Sequence, residues 1–481
     1  MTSAARTFAT ISSPARPTGN PVRLERAVVL GGSVAGLLAA RVLAEHAERV
    51  VVVERDPLDT GPVARRGVPQ GRQVHALLRG GAQQLERWFP GFADRAVAAG
   101  AQRVLPAQQA LYTDGVGKPG VSQVLCATRP FLEHQVRELV RDLPNVQFRT
   151  GRATGLEVSG GAVRAVRGKS GGVGFREAGD LVVDASGRAS RVPDQLAAAG
   201  WDAPPLTRQA TGIDYATALF RRPPGEHAVG LAAALVSPGT GSDVSSAAFT
   251  PVEGDRWILV LAGYGTRPGS TAEDLVRLCR RELPAPFGRV ASNELLGDVV
   301  THHQGDSRRR DWTAAARLPA RLLAVGDAVS SFNPVYGQGM SSAALHASCL
   351  SMFLRSGADL DAPARRFFEL QRVVVDAAWS VSTGGDRART GVRPRGPERV
   401  AAGLLGLVVD ATVVDPVVAR VLDDVTQMLE HPARLLAPGV LWRSLRARRL
   451  PRPGPTPPVE PGVPEGPRST AVPAAAGDAE P

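Results

Sequence analysis

The sequence predicts a mixed α/β fold: a parallel sheet flanked by helices, an interleaved β-sheet layer, and a C-terminal helical region. Three observations carry this. Val28-Val29-Leu30-Gly31-Gly32-Ser33-Val34-Ala35-Gly36 reads as an apolar strand, a tight glycine turn and a helix start. Far along the chain, Leu323-Ala324-Val325-Gly326-Asp327-Ala328 reads as another such strand ending in Gly-Asp. Between them, residues 205–300 change character, with long strand-like segments over 213–220 and 256–262.

Taken in order, residues 1–24 are polar and rich in Ser, Thr and Pro. They lack the apolar core of a signal peptide, so a disordered arm on a cytoplasmic protein is expected. Residues 26–56 open as a βαβ unit. The run 28–30 is continuously apolar, as a buried parallel strand requires; 34–47 has helical periodicity; 49–53 is a second strand ending in Glu54. Residues 57–81 are Gly-, Pro- and Arg-rich and read as a loop entering a helix. A helix is expected over 131–143, with Arg129-Pro130 at its start, where proline is tolerated. Strand character returns at 146–148, hairpin strands at 155–176, and a buried strand with a glycine turn at 180–187, ending Asp184-Ala185-Ser186-Gly187. After the sheet region come a helix over 275–283, a strand over 322–325 and a long helix over about 340–354. Residues 363–449 are mostly helical in pattern. The segment 451–481 holds ten prolines and no aromatic residue, the composition of a disordered tail.

Composition excludes several classes. The most apolar long run, 400–418, carries Asp410 and Asp415, so no membrane-spanning helix is expected. The net charge of +11 comes from scattered arginines, with only 5% aromatic residues to stack on bases, so no nucleic-acid partner is expected. Cys126, Cys279 and Cys349 show no Cys-x-x-Cys spacing and read as reduced thiols. His302 and His303 are neighbours on a strand and point to opposite faces, so no metal site is assigned. The basic, partly apolar stretch 441–449 reads as a solvated helix end rather than a peripheral membrane contact.

The glycine turn carries chemistry. A strict Gly-x-Gly-x-x-Gly has glycine where this chain has Ser33. Gly31 and Gly36 serve the tight turn and the close helix–strand packing, and Ser33 is small enough for a phosphate to approach. Gly31, Gly32, Ser33, Val34, Ala35 and Gly36 therefore form a candidate pyrophosphate site, helped by the free amides and dipole of the helix start. Glu54, at the end of the second strand with Arg55 beside it, stands where an acid accepts hydrogen bonds from ribose hydroxyls and repels a 2′-phosphate. Gly326 and Asp327 precede Asn333-Pro334-Val335-Tyr336-Gly337-Gln338-Gly339-Met340, whose glycines just before a helix allow the backbone to lie against a flat ring. Two such ends of one chain point to a single dinucleotide with a planar head, FAD.

The order GGSVAG, Glu54, Asp184-Ala185-Ser186-Gly187 and Gly326-Asp327 resembles the FAD-dependent aromatic hydroxylase superfamily. Two stretches narrow the resemblance. They are Gly67-Val68-Pro69-Gln70-Gly71-Arg72-Gln73-Val74-His75-Ala76-Leu77-Leu78 and Phe332-Asn333-Pro334-Val335-Tyr336-Gly337-Gln338-Gly339-Met340. With them the chain resembles the branch of polyene epoxidases from polyether pathways, with squalene epoxidase a distant relative. The resemblance implies that Glu54 binds the adenosine ribose, that Arg72 and Arg129 approach the phosphates or flavin, and that Asp327 binds the ribityl or pyrophosphate region. It implies that Pro334, Gly337, Gln338, Gly339 and Met340 lie along the isoalloxazine, and that Asp184 and Gly187 belong to a motif serving FAD and the nicotinamide dinucleotide. Gln73-Val74-His75 departs from the family's frequent His-x-His, and Ala218 stands where relatives often carry Arg.

The resemblance further implies a Rossmann-like FAD-binding domain over 25–204 and 301–360 and a substrate-binding sheet domain over 205–300, to which part of 75–125 contributes. A helical region follows over 361–450. The expected activity is NADPH- or NADH- and O2-dependent epoxidation or hydroxylation of an unsaturated apolar secondary metabolite, a polyketide or terpenoid, through a flavin C4a-hydroperoxide. No catalytic acid or base is assigned. Rival readings are an FAD-dependent reductase of isoprenoid double bonds and a non-catalytic dinucleotide-binding or redox-sensing protein. A halogenase is disfavoured because Trp-x-Trp-x-Ile-Pro is missing; Trp257-Ile258-Leu259-Val260 is the nearest stretch.

Overall fold

A computed structural model describes residues 2–454 apart from 20–23, 59, 66, 74–75, 226–228, 393–394 and 453. Val74 and His75, and nearly all of the expected tail over 451–481, thus lie outside the described residues.

The fold is mixed α/β. Five parallel strands form one sheet in the spatial order Leu322–Ala324, Leu181–Asp184, Leu24–Leu30, Ala47–Glu54, Val146–Thr150. The central strand is the one leading into the glycine turn. Its residues Ala27 to Val29 are fully buried, because helices cover a parallel sheet on its faces. The Val34–Leu43, Arg129–Arg141 and Gln338–Arg355 helices pack into the same apolar core. An antiparallel sheet of three strands, Arg152–Ser159, Ala162–Ser170 and Val173–Ala178, is the expected hairpin region.

A larger, eight-stranded sheet is built around Leu206–Arg221, which pairs antiparallel with Arg256–Tyr264 on one side and Val300–Arg310 on the other. It also takes in Gln109–Thr113 and Val116–Pro119 from early in the chain and Ser330–Ser331 from late in it. The two sheets are thereby interleaved in sequence. Beyond residue 365 the chain is helical: Arg365–Arg389, Pro397–Ala411, Pro416–Thr426 and Pro438–Ala447, the last three sharing a small core of Val408, Val418, Val425 and Val440. Among the described residues no single helix is long and apolar enough to cross a membrane.

The expected disordered arm over 1–24 needs correction. Ser3–Ser12 is a helix, started by the Thr2 hydroxyl accepting from the Ala5 amide at 3.2 Å. Phe8 and Ile11 are buried, and the Ser12 carbonyl accepts from the side-chain amides of Gln83 and Gln84 at 2.7 and 2.9 Å. A polar composition overall concealed two apolar residues spaced to share one helix face, and tertiary packing holds what local propensity would not.

Candidate functional site

The first strand ends at Leu30, and the chain must reverse sharply into the Val34–Leu43 helix. Gly31 takes φ +108, and a Cβ there would stand 2.4 Å from the Ala185 carbonyl oxygen. A Cβ on Gly36 would stand 1.8 Å from the Gly31 carbonyl oxygen. Only glycines allow strand, turn and helix to close this tightly. Ser33 is the helix N-cap without a side-chain cap bond, and the first-turn amides of Val34, Ala35 and Gly36 donate to nothing among the described residues. The turn therefore presents unpaired N–H groups at the positive end of a helix, the arrangement that receives a phosphate.

Glu54 lies beside that turn and is buried. Its Oε2 accepts from the Gly32 amide at 2.7 Å and its Oε1 from the Asp56 amide at 3.0 Å. Both oxygens keep lone pairs for further donors. Arg55 is exposed at its side.

Sequence reading missed the acid–arginine cluster behind the turn. Glu133, on the Arg129–Arg141 helix, is 2% exposed and accepts from Ser33 Oγ at 2.7 Å, Arg65 Nε at 3.0 Å, Arg137 Nη2 at 3.1 Å and Arg129 Nη1 at 3.3 Å. Arg129 Nη2 also donates to Ser33 Oγ at 3.0 Å. Burial works to raise the Glu133 pKa, but Arg129 and Arg65 outweigh it and hold the carboxyl below the usual range. Arg65 reaches Glu54 and Asp56 as well, at 3.5 Å each. Buried cationic charge at this turn thus comes from Arg65 and Arg129, whereas the expected Arg72 is exposed and makes no hydrogen bond or ion pair among the described residues. The i, i+4 spacing of Arg129, Glu133 and Arg137 was the available signal; Arg65 sits in an irregular loop that has no period to reveal it.

The Gly-Asp strand end meets this turn directly. Gly326 takes φ +61, and a Cβ on it would come within 2.5 Å of Ala35 Cβ. Its amide donates to His346 Nδ1 at 3.0 Å. His346 is fully buried on the Gln338–Arg355 helix, and burial lowers its pKa to about 3, so the ring stays neutral with Nδ1 an acceptor. Asp327 follows, half-buried and without a hydrogen-bond partner among the described residues; burial raises its pKa against the opposing pull of Arg129 and Arg188. Asp184 is instead consumed locally, accepting from the Ser186 amide at 3.0 Å and from the hydroxyls of Ser186 and Ser190 at 2.5 Å each. Its carboxylate shapes the turn that ends at Gly187.

The Asn333–Gly337 turn is anchored by a polar cluster that sequence reading also missed. The chain has four tyrosines, and three of them, Tyr215, Tyr264 and Tyr336, converge here. Asn333 is fully buried: its Oδ1 accepts from Tyr215 Oη and from the Val335 amide, and its Nδ2 donates to Asp386 Oδ1 at 2.8 Å. Asp386 Oδ1 also accepts from Tyr264 Oη at 2.7 Å and Tyr336 Oη at 3.1 Å. A Cβ on Gly385 would fall 2.2 Å from Tyr336 Oη, so glycine there admits the phenol against the helix. Burial raises the pKa of Asp386 and of all three tyrosines. Gly337, at φ +65, starts the Gln338–Arg355 helix with no side-chain cap, leaving the amides of Gln338, Gly339 and Met340 unpaired among the described residues. Pro334 and Gly337 are half-buried, Gly339 is exposed, and Gln338 and Met340 are buried. Met340 and Val34 line one narrow apolar gap, so the two uncapped helix starts are neighbours.

The pieces fit a dinucleotide with a planar head: two sets of free amides, glycines where a Cβ would collide, and an unpartnered Asp327 facing arginine charge. Thr217 Oγ1, on the large sheet, donates to Gln73 Oε1 at 2.6 Å and ties the 67–78 loop to that sheet. His302 and His303 lie on Val300–Arg310, and His303 Nδ1 is 3.1 Å from Asp214 Oδ1; no metal-binding cluster occurs among the described residues. The three cysteines are buried and unbridged.

No family model matches the chain. Over 357 residues it is 35% identical to Protein Rv3254 of Mycobacterium tuberculosis (strain ATCC 25618 / H37Rv), a match covering 70% of this chain and 74% of that protein. Among solved structures it is similar to p-nitrophenol 4-monooxygenase PnpA from Pseudomonas putida DLL-E4, at 18% identity and a TM-score of 0.60, covering 85% of this chain and 99% of that one. It is also similar to the flavin-dependent brominase Bmp2, at 15% identity and a TM-score of 0.57, covering 89% of this chain and 99% of that one. At such identities the structural likeness is one of fold. The chain belongs to the family of Protein Rv3254, and its fold is the one shared by p-nitrophenol 4-monooxygenase PnpA and the flavin-dependent brominase Bmp2.

Proposed function

We propose that this chain is an FAD-dependent monooxygenase that takes electrons from NADPH or NADH and inserts oxygen from O2 into an unsaturated apolar small molecule. The carrying observation is the meeting of two uncapped helix starts, at Ser33 and Gly337, with Gly326 lodged against Ala35 between them. FAD supplies the electron storage and the oxygen activation.

The chain's own residues bind, orient and exclude water. The Val34, Ala35 and Gly36 amides would receive the pyrophosphate, with Arg129 and Arg65 as nearby cations. Glu54 would accept the ribose hydroxyls, and Asp327 would bind the ribityl or pyrophosphate region. The 334–340 segment would lie along the ring system, where a helix start favours negative charge. The parallel-sheet layer would be the cofactor domain, and the eight-stranded sheet the pocket wall that holds substrate in line and keeps water out. Epoxidation of a polyketide or terpenoid is the narrower reading, supported by the resemblance at 67–78 and 332–340.

The purified protein should be yellow and should consume NAD(P)H and O2 faster with an unsaturated apolar substrate. Anaerobic turnover that saturates a double bond would support an isoprenoid reductase instead. Protein that stays colourless after FAD is added would overturn both readings.

A further inference from the structure

The Pro438–Ala447 helix buries Val440, Ser444 and Ala447 against the neighbouring helices. Trp442 and Leu445 therefore leave the opposite side, where they are 59% and 55% exposed. Leu436, before the helix, and Leu450, after it, are 44% exposed each. Among its exposed arginines this helix end also turns out a tryptophan and a leucine.

The charges on this face are of one sign. Arg446 stacks its guanidinium over the Trp442 ring at 5.6 Å from the centroid. Arg446, Arg448 and Arg449 are exposed and have no carboxylate partner among the described residues, whereas Arg443, on the inner flank, is paired with Asp415 at 3.0 Å. A second copy laid on this face would bring arginines against arginines. A surface with an apolar interior and an anionic boundary answers both features at once.

We propose that the outward face of the Pro438–Ala447 helix, centred on Trp442, Leu445 and Arg446 with Arg449 just past its end, docks the protein on an anionic lipid bilayer. Trp442 and Leu445 enter the headgroup boundary, where tryptophan is favoured, and the arginines lie among the phosphates. This does not depend on the flavin reading.

The test is co-sedimentation of the full chain with phosphatidylcholine vesicles, with and without phosphatidylglycerol. The wild type should pellet with the anionic vesicles and be released by salt. Trp442→Ser with Leu445→Ser should weaken binding at least tenfold, and Arg446→Gln with Arg449→Gln by about fivefold per charge, with thermal midpoints unchanged because these side chains are exposed. Three results would overturn the proposal: no pelleting of wild type, equal binding to uncharged vesicles, or a wild-type dimer that the double serine variant converts to monomer without any lipid binding.

Discussion

Glu54, Glu133 and His346 each do work that a single substitution can isolate. Glu54 gives the Gly32 amide its acceptor at 2.7 Å. A hydrogen bond to a charged group contributes about 1.5–3 kcal/mol, so if Glu54 also accepts from the ribose as proposed, Glu54→Ala should raise the FAD dissociation constant about tenfold or more; flavin fluorescence titration reads this directly. Glu133 faces three arginines in a dry setting. Removing one partner of a buried pair costs about 3–5 kcal/mol, and Glu133→Gln should show that loss in the denaturant midpoint. Its carboxyl lies below the usual range in the folded state, so its stabilisation is present at neutral pH and disappears as pH falls through the carboxylate range. His346 behaves as a buried neutral ring, its pKa lowered by burial to about 3. The unfolded chain takes up a proton at about pH 6.5 that the folded chain refuses. Stability should therefore decline as pH drops below that value, and His346→Gln should flatten the decline in urea titrations.

Among elements, the Asn333–Gly337 turn is held from three directions: Tyr215 and Tyr264 from two strands of the large sheet and Asp386 from the Arg365–Arg389 helix. Asp386→Ala would leave the hydroxyls of Tyr264 and Tyr336 and the Asn333 side-chain amide without that acceptor, at about 1–3 kcal/mol for each group left buried and unpaired. Flavin retention through gel filtration should fall in this variant even where circular dichroism is unchanged; retention equal to wild type would show that the turn holds itself. The turn was legible in the sequence as a glycine-rich approach to a helix. Its anchors were not, because Tyr215, Tyr264 and Asp386 belong to segments whose spacing reports strand and helix period and says nothing of which side chains will meet. Glu54 was legible for the opposite reason: its place after strand, turn, helix and strand is set by local chain order.

Over the whole molecule, continuous apolar runs revealed four of the five parallel strands, since strands buried on both faces need no alternation, while the edge strand Val146–Thr150 is polar and only partly buried. The sheet that crosses from Gln109 to Ser331 was only partly legible. Its Leu231–Leu235, Ser246–Val252 and Val300–Arg310 strands are short, proline-interrupted or charged, and pairing with Leu206–Arg221 and its neighbours, not intrinsic preference, makes them strands. The amino-terminal helix fails the same way, its few apolar residues gaining meaning only against the body of the protein. Phe8→Ala should cost about 3–5 kcal/mol and lower the thermal midpoint, which a melt followed by light scattering would report.

That helix has a practical corollary for anyone designing a shortened clone. Hydropathy alone recommends starting expression at the first strand, Leu24, but such a product would forfeit the Phe8 ring against His431 and the carbonyls that satisfy Gln83, Gln84 and Arg87. The bared seam should make it precipitate in the host, and an inclusion body would then be mistaken for a failure of cofactor supply.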